Sequence, residues 1–213
     1  MTTDTTERGL EDLICIAMTG RASTLPFTGV GIESSSEPYG GTGWLLGDSR
    51  DYDREYCVDL VYLRDFLKAT QPAIAAALEL DSDTPVRRRF LARLEKECCK
   101  RGVIDLLRNG VKHEKYTNID LFYGTPSPGN NKAALQYAAN RFSLTRQLRY
   151  SRDETRRALD MGLFINGLPI ATFELKNSLT KQTVEDAVEQ YRRDRDPKER
   201  LFNFEVFGGH NTD

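Results

Sequence analysis

Two apolar segments joined by one Asn-Gly pair constrain this chain more than any other feature. ALDMGLFI (158–165) and LPIATFELK (168–176) have strand length and strand composition, and Asn166-Gly167 between them favours the left-handed backbone of a tight hairpin turn. A hairpin this apolar must bury at least one face, so it requires strands at its edges and helices against its faces. NIDLFYG (118–124), FSLTRQLRY (142–150) and LFNFEVF (201–207) read as further strands. Helical spacing of apolar residues marks 7–19 (Leu10, Leu13, Ile14, Ala17), 54–69 (Val58, Leu60, Leu63, Phe66) and 183–195 (Val184, Ala187, Val188, Tyr191). Helices are also expected over 71–80, 85–101 and 132–140, with Pro72 and Pro85 where a first turn tolerates proline. The Gly-, Ser- and Thr-rich stretch from Gly20 to Asp53 reads as a long ordered loop, and TPSPGNN (125–131) as a turn. The order is helices, then strand–hairpin–helix–strand, which predicts an α/β fold with a mixed central sheet flanked by helices. Residues 1–110 form a largely helical part and 111–213 the core around the hairpin, as one continuous unit, because no flexible linker separates them.

The hairpin also carries the residues with the most chemistry. Asp160 comes early in its first segment; Glu174 and Lys176 come late in the second, sharing a face because side chains alternate along a strand. Two carboxylates and an ammonium at one point suit a divalent cation, an activated water and a phosphate. Register tests the idea. A regular two-residue turn sets 165 opposite 168 and 159 opposite 174, which sends Asp160 to the wrong side. An odd-length loop or a single bulge sets Asp160 opposite Glu174, and Pro169, which cannot donate a ladder hydrogen bond, makes irregular pairing there reasonable. A loop of odd length or a bulge is therefore expected. The plainer reading of the same residues is a pair of solvated strand ends.

Composition narrows the alternatives. The net charge of -2 advertises no global polyanion-binding field, so any such site is a local patch. Cys15, Cys57, Cys98 and Cys99 lack CxxC spacing and read as reduced thiols; with only His113 and His210 beside them, a structural zinc site has little support. The N-terminus lacks the apolar core of a secretion signal and no run approaches membrane-spanning length, so a cytoplasmic protein with no membrane partner is expected. GGTGWLLGDS has neither the lysine nor the spacing of a P-loop. Neither histidine pairs with a recognisable nucleophile, which argues against a Ser/His or Cys/His hydrolase. Arginines cluster on both sides of the hairpin: Arg146, Arg149 and Arg157 before it, Arg192 and Arg193 after it. Such clusters either contact nucleic-acid phosphates or are solvated faces.

RRALDMGLFINGLPIATFELKNSLT, followed by DAVEQYRRDRDPKERLF, resembles the R (restriction and translocation) subunit of type I restriction-modification enzymes, and YGGTGWLLGDSRDYDREYCVDLVYLRDFLKATQP upstream is similar to its N-terminal region. The likeness covers most of residues 39–204 and is sharpest at the Asn-Gly-Leu-Pro turn and the Glu-Leu-Lys after it. It implies a restriction-endonuclease-like PD-(D/E)xK fold, in which Asp160 and Glu174 hold Mg²⁺, with Mn²⁺ able to substitute, and Lys176 serves the attacking water. Leu159 stands where the motif's proline would be. Relatives carry Gln-x-x-x-Tyr on the following helix; Gln190 fits the glutamine, but Asp194 occupies the tyrosine position and Tyr191 follows the glutamine directly. Glu11 is either a surface glutamate or a further acid of the kind that an early helix supplies in related nuclease folds. The implied activity is that of a type I site-specific deoxyribonuclease acting on double-stranded DNA, with modification and specificity subunits as partners. ATP would enter only through the family's motor domains, which these 213 residues do not include, and the tail after Phe204 is expected to depart from the family. The competing function is a catalytically inactive nuclease-fold module for DNA binding or subunit docking.

Overall fold

The computed structural model describes residues 7–20, 42–114, 116–153, 158–175, 188 and 199–203. They form a mixed α/β arrangement. The helices are α1 (Glu7–Thr19), α2 (Leu60–Thr70), α3 (Pro72–Ala77), α4 (Pro85–Arg101), α5 (Val103–Asn109) and α6 (Asn131–Ala138). The main sheet contains β1 (Leu45–Gly47), β6 (Phe142–Arg149), β7 (Ala158–Ile165) and β8 (Leu168–Phe173), in the order β1-β6-β7-β8. β1 runs parallel to β6, whereas β6, β7 and β8 are antiparallel. Two small ladders stand apart: β2 (Tyr52–Asp53) with β3 (Val58–Asp59), and β4 (Val111–His113) with β5 (Tyr116–Ile119).

The sheet buries both faces. Neighbouring Leu163 and Phe164 point to opposite sides, as alternation demands: Leu163 packs on a small core of Cys15, Leu144 and Met161 under α1, and Phe164 joins the large core. That large core takes Leu63, Phe66 and Leu67 from α2, Phe90, Leu91 and Leu94 from α4, Leu106 from α5, and Leu148, Leu159 and Leu168 from the sheet. Side chains from both halves of the sequence therefore share one interior. Within residues 1–110 the described elements are mostly helices, α1 to α5, with three short strands among them, one of which belongs to the main sheet.

The Gly20–Asp53 stretch, expected as loop, contains β1 and β2. A three-residue strand has no period to read, and β1 owes its form to pairing with β6. Its Gly47 approaches Thr145 so closely that a β-carbon would lie 2.2 Å from Oγ1. The helix expected at 54–69 starts only at Leu60, because residues 54–57 turn between β2 and β3 and Asp59 caps α2 by accepting from the Tyr62 N–H at 3.1 Å. The strand expected at 118–124 is β5, shifted to Tyr116–Ile119, and the one at 201–207 begins instead as a 3₁₀ turn, Arg200–Asn203. There, Phe202 tilts against Tyr150 with ring centroids 5.1 Å apart. The helix expected over 183–195 lies outside the described residues except at Val188. All four cysteines are free thiols, and burial pushes Cys57 up to about 12. No helix among the described residues is long and apolar enough to cross a membrane.

Asp59 is almost wholly buried, and burial pushes its carboxyl up to about 6 from an ordinary 3.8, against the backbone N–H groups that it accepts. A raised folded-state value favours folding fully only below the unfolded-state pKa; that contribution is lost as pH rises through 6. The shift corresponds to on the order of 3 kcal/mol. Asp59→Asn keeps an oxygen for the cap and removes the ionisation. Its stability relative to wild type should rise by roughly that amount between pH 4 and pH 8 in urea melts; a pH-independent difference would contradict the assignment.

Candidate active site

The β7–β8 hairpin turns through Asn166 at φ 50 and Gly167 at φ 81, the left-handed pair that a two-residue turn needs. The turn is not at the surface. Asn166 is fully buried; its Nδ2 donates to Leu121 O at 2.9 Å and Asn140 Oδ1 at 3.0 Å, and its Oδ1 accepts from the Arg141 N–H at 2.6 Å. On the other side, Gly167 O accepts from the Asp59 N–H at 2.8 Å. The tip of the hairpin is thus fixed to both halves of the fold.

Pairing beyond the turn begins as Ile165↔Leu168 and Phe164↔Pro169, then shifts to Leu163↔Ala171, Gly162↔Thr172 and Met161↔Phe173. Ile170 is the extra residue of a bulge beside Pro169. A regular two-residue hairpin would have set Leu159 opposite Glu174. The ladder ends at Met161↔Phe173, and the bulged register carried one residue further would align Asp160 with Glu174. Both carboxylate residues are half-buried. Asp160 Oδ2 accepts from the Leu175 N–H at 2.7 Å, which ties it to the end of β8.

Two half-buried carboxylates at this end of the hairpin are hard oxygen donors of the kind Mg²⁺ takes, alongside water and phosphate. Among the described residues no group of three or more His, Cys, Asp or Glu is arranged to hold a metal ion. Two protein carboxylates with solvent and substrate oxygens are compatible with Mg²⁺, which usually keeps several waters. Lys176 and Gln190 lie outside the described residues, as do Arg157, Arg192 and Arg193.

Glu11 is not at the surface: it is 5 % exposed. Its Oε2 accepts from Arg146 Nη2 at 2.9 Å and Nε at 3.2 Å, and its Oε1 accepts from Gln147 Nε2 at 2.8 Å. Arg146 also donates through Nη1 to Asp12 at 2.6 Å. Burial opposes its charge, but the hydrogen bonds and charges of Glu11 and Asp12 outweigh that and raise its pKa. Arg146, expected among the DNA contacts, is therefore turned inward against α1, whereas Arg149 is exposed. Glu11, taken up at both oxygens, serves as an anchor in this arrangement. Sequence reasoning missed Gln147 and Asp59. Nothing local marks Asp59, and Gln147 declares itself only through a φ of 47 inside a strand.

The chain belongs to the family described as the type I restriction enzyme R protein N terminus, whose model matches residues 64–208. The match runs past Phe204, where the likeness was expected to stop, and begins inside the upstream stretch expected to share it. No curated protein and no solved structure matches the chain.

Proposed function

We propose that this chain is a Mg²⁺-dependent endonuclease module of PD-(D/E)xK type that hydrolyses phosphodiester bonds in double-stranded DNA, within a type I restriction enzyme R subunit. The observation that supports the reading is the bulge at Ile170 in a chain of this family, because its register, carried one rung beyond Met161↔Phe173, would align Asp160 with Glu174. Asp160 and Glu174 would hold the ion. Bound Mg²⁺ supplies charge stabilisation at phosphorus and a more acidic water. Lys176, two residues beyond Glu174, would orient the attacking water and offset negative charge at the phosphate. Gln190 would steady the same region from the next segment. Arg149, exposed on β6, is suited to a phosphate contact, with Arg157, Arg192 and Arg193 as further candidates.

In a complete restriction complex, site selection would fall to modification and specificity subunits and ATP use to motor domains. The isolated chain should accordingly cut without sequence preference. The test is cleavage of plasmid DNA with Mg²⁺ or Mn²⁺ by wild type, Glu174→Ala and Lys176→Ala, with DNA binding measured in parallel. Cleavage lost in both variants, with binding kept, supports the enzyme. Intact plasmid with every protein, at concentrations where all of them bind DNA, would favour an inactive docking module instead.

A further inference from the structure

In a regular strand, residues two or four apart share a face. Leu144 and Leu148 do not. Leu144 lies in the small core under α1, and Leu148 lies in the large core on the other side of the sheet. The same division separates Met161, under α1, from Leu159, in the large core. β6 and β7 therefore both exchange faces between these positions. The ladder pairs Arg146 with Met161 and Leu148 with Leu159, so the exchange falls on the rung where Gln147 stands opposite Asp160, and that rung is missing from the pairing.

The cause is legible at Gln147. Its φ of 47 is left-handed, a conformation that side chains other than glycine, asparagine and aspartate rarely adopt and that is strained in mid-strand. Something must hold it, and its side-chain amide donates to Glu11 Oε1 at 2.8 Å. Glu11 is itself fixed by Arg146, the residue before Gln147, so α1 grips β6 at two consecutive side chains. Consecutive strand residues reach one partner only where alternation has failed, as it has here.

We propose that Gln147 and Glu11 are positioning residues for Asp160: the Glu11-held left-handed turn at Gln147 sets the face exchange at the Asp160 rung and so directs its carboxylate. The proposal rests on the metal-site reading for its functional meaning, but the geometry can be tested without it. Asp160 bonds the Leu175 N–H, so the exchange rate of that amide reports where the carboxylate points, with no metal present.

The experiment compares wild type with Gln147→Val, Gln147→Gly and Glu11→Gln. Valine disfavours the left-handed turn, glycine takes it without strain, and the Glu11 change keeps shape while weakening the grip. Thermal melts identify the folded variants, amide exchange is read at Leu175, and Mn²⁺ affinity is read by electron paramagnetic resonance titration. Gln147→Val should lose protection at Leu175 and bind Mn²⁺ about 10- to 100-fold more weakly, the range for supporting residues around a metal. Gln147→Gly should recover most of that loss. If Gln147→Val does not fold, Glu11→Gln should show the same two effects. Folded Gln147→Val or Glu11→Gln with wild-type Leu175 protection and wild-type Mn²⁺ affinity overturns the proposal. A wild type that binds no Mn²⁺ defeats the metal-site reading, and the Leu175 amide alone then decides whether Gln147 directs Asp160.

Discussion

Glu174→Ala should lower Mg²⁺-dependent DNA cleavage by about three to four orders of magnitude while leaving DNA binding intact. Charge sets the size of the effect. A bound divalent ion contributes several kcal/mol to a hydrolytic transition state. Each 1.36 kcal/mol is a factor of ten in rate, so losing about 4–6 kcal/mol gives a loss of that order. In the proposed site Glu174 would supply half of the protein's share of that ion's ligands and Asp160 the other half. Alanine at 174 removes an anion from a surface meant for phosphate, so affinity for DNA should hold or rise. Glu174 is half-buried just past the end of β8 and belongs to neither hydrophobic core. Plasmid nicking followed against time at saturating protein is the measurement. A variant that cuts within tenfold of wild type would remove Glu174 from the chemistry.

The second large effect concerns the turn that sets the register. Gly167→Ala should destabilise the fold by roughly 2–5 kcal/mol in urea unfolding. A left-handed backbone costs an L-residue about 1–2 kcal/mol, and Gly167 sits at φ 81. An added β-carbon would lie 2.3 Å from Asp59 O and 2.8 Å from Leu63 N, both backbone atoms that cannot swing aside. Overpacking of that kind typically adds 1–3 kcal/mol. If the chain relieves the clash by moving the hairpin tip, the Gly167 O bond from Asp59 goes too, and with it the bulged register that leads from Ile165↔Leu168 to Met161↔Phe173. Activity should therefore fall further than stability alone accounts for. A loss under 1 kcal/mol would mean that the turn tolerates a side chain and that the close approach is not restrictive.

The parts of this fold with strong local codes are readable in the sequence. α1 begins and ends at Glu7 and Thr19 as its apolar spacing indicates, and α4 spans Pro85–Arg101 between its proline and the glycine after it. The hairpin announces itself through Asn166-Gly167. Its irregularity is foreshadowed by Pro169, which cannot donate a ladder hydrogen bond and beside which the register shifts. What stays hidden depends on contacts distant in sequence. β1 is three residues held by β6; no period exists in Leu45–Gly47 to reveal it. Glu11 looks like Glu7 in the sequence and becomes a buried anchor only because Arg146, 135 residues away, reaches it. Gln147 carries no sign of a left-handed turn, because glutamine ordinarily avoids one. The segment 201–207 has a strand's composition, yet Leu201 and Phe202 enter a 3₁₀ turn that packs on Tyr150.

Diffraction from crystals soaked in Mn²⁺, recorded for its anomalous signal, addresses the pairing of the two acids directly. One peak should appear with an oxygen of Asp160 and an oxygen of Glu174 each within roughly 2–2.5 Å, the reach of a divalent ion to carboxylate ligands. A peak bound to only one of them, or the two carboxylates emerging on opposite faces of the sheet, would contradict the shared site.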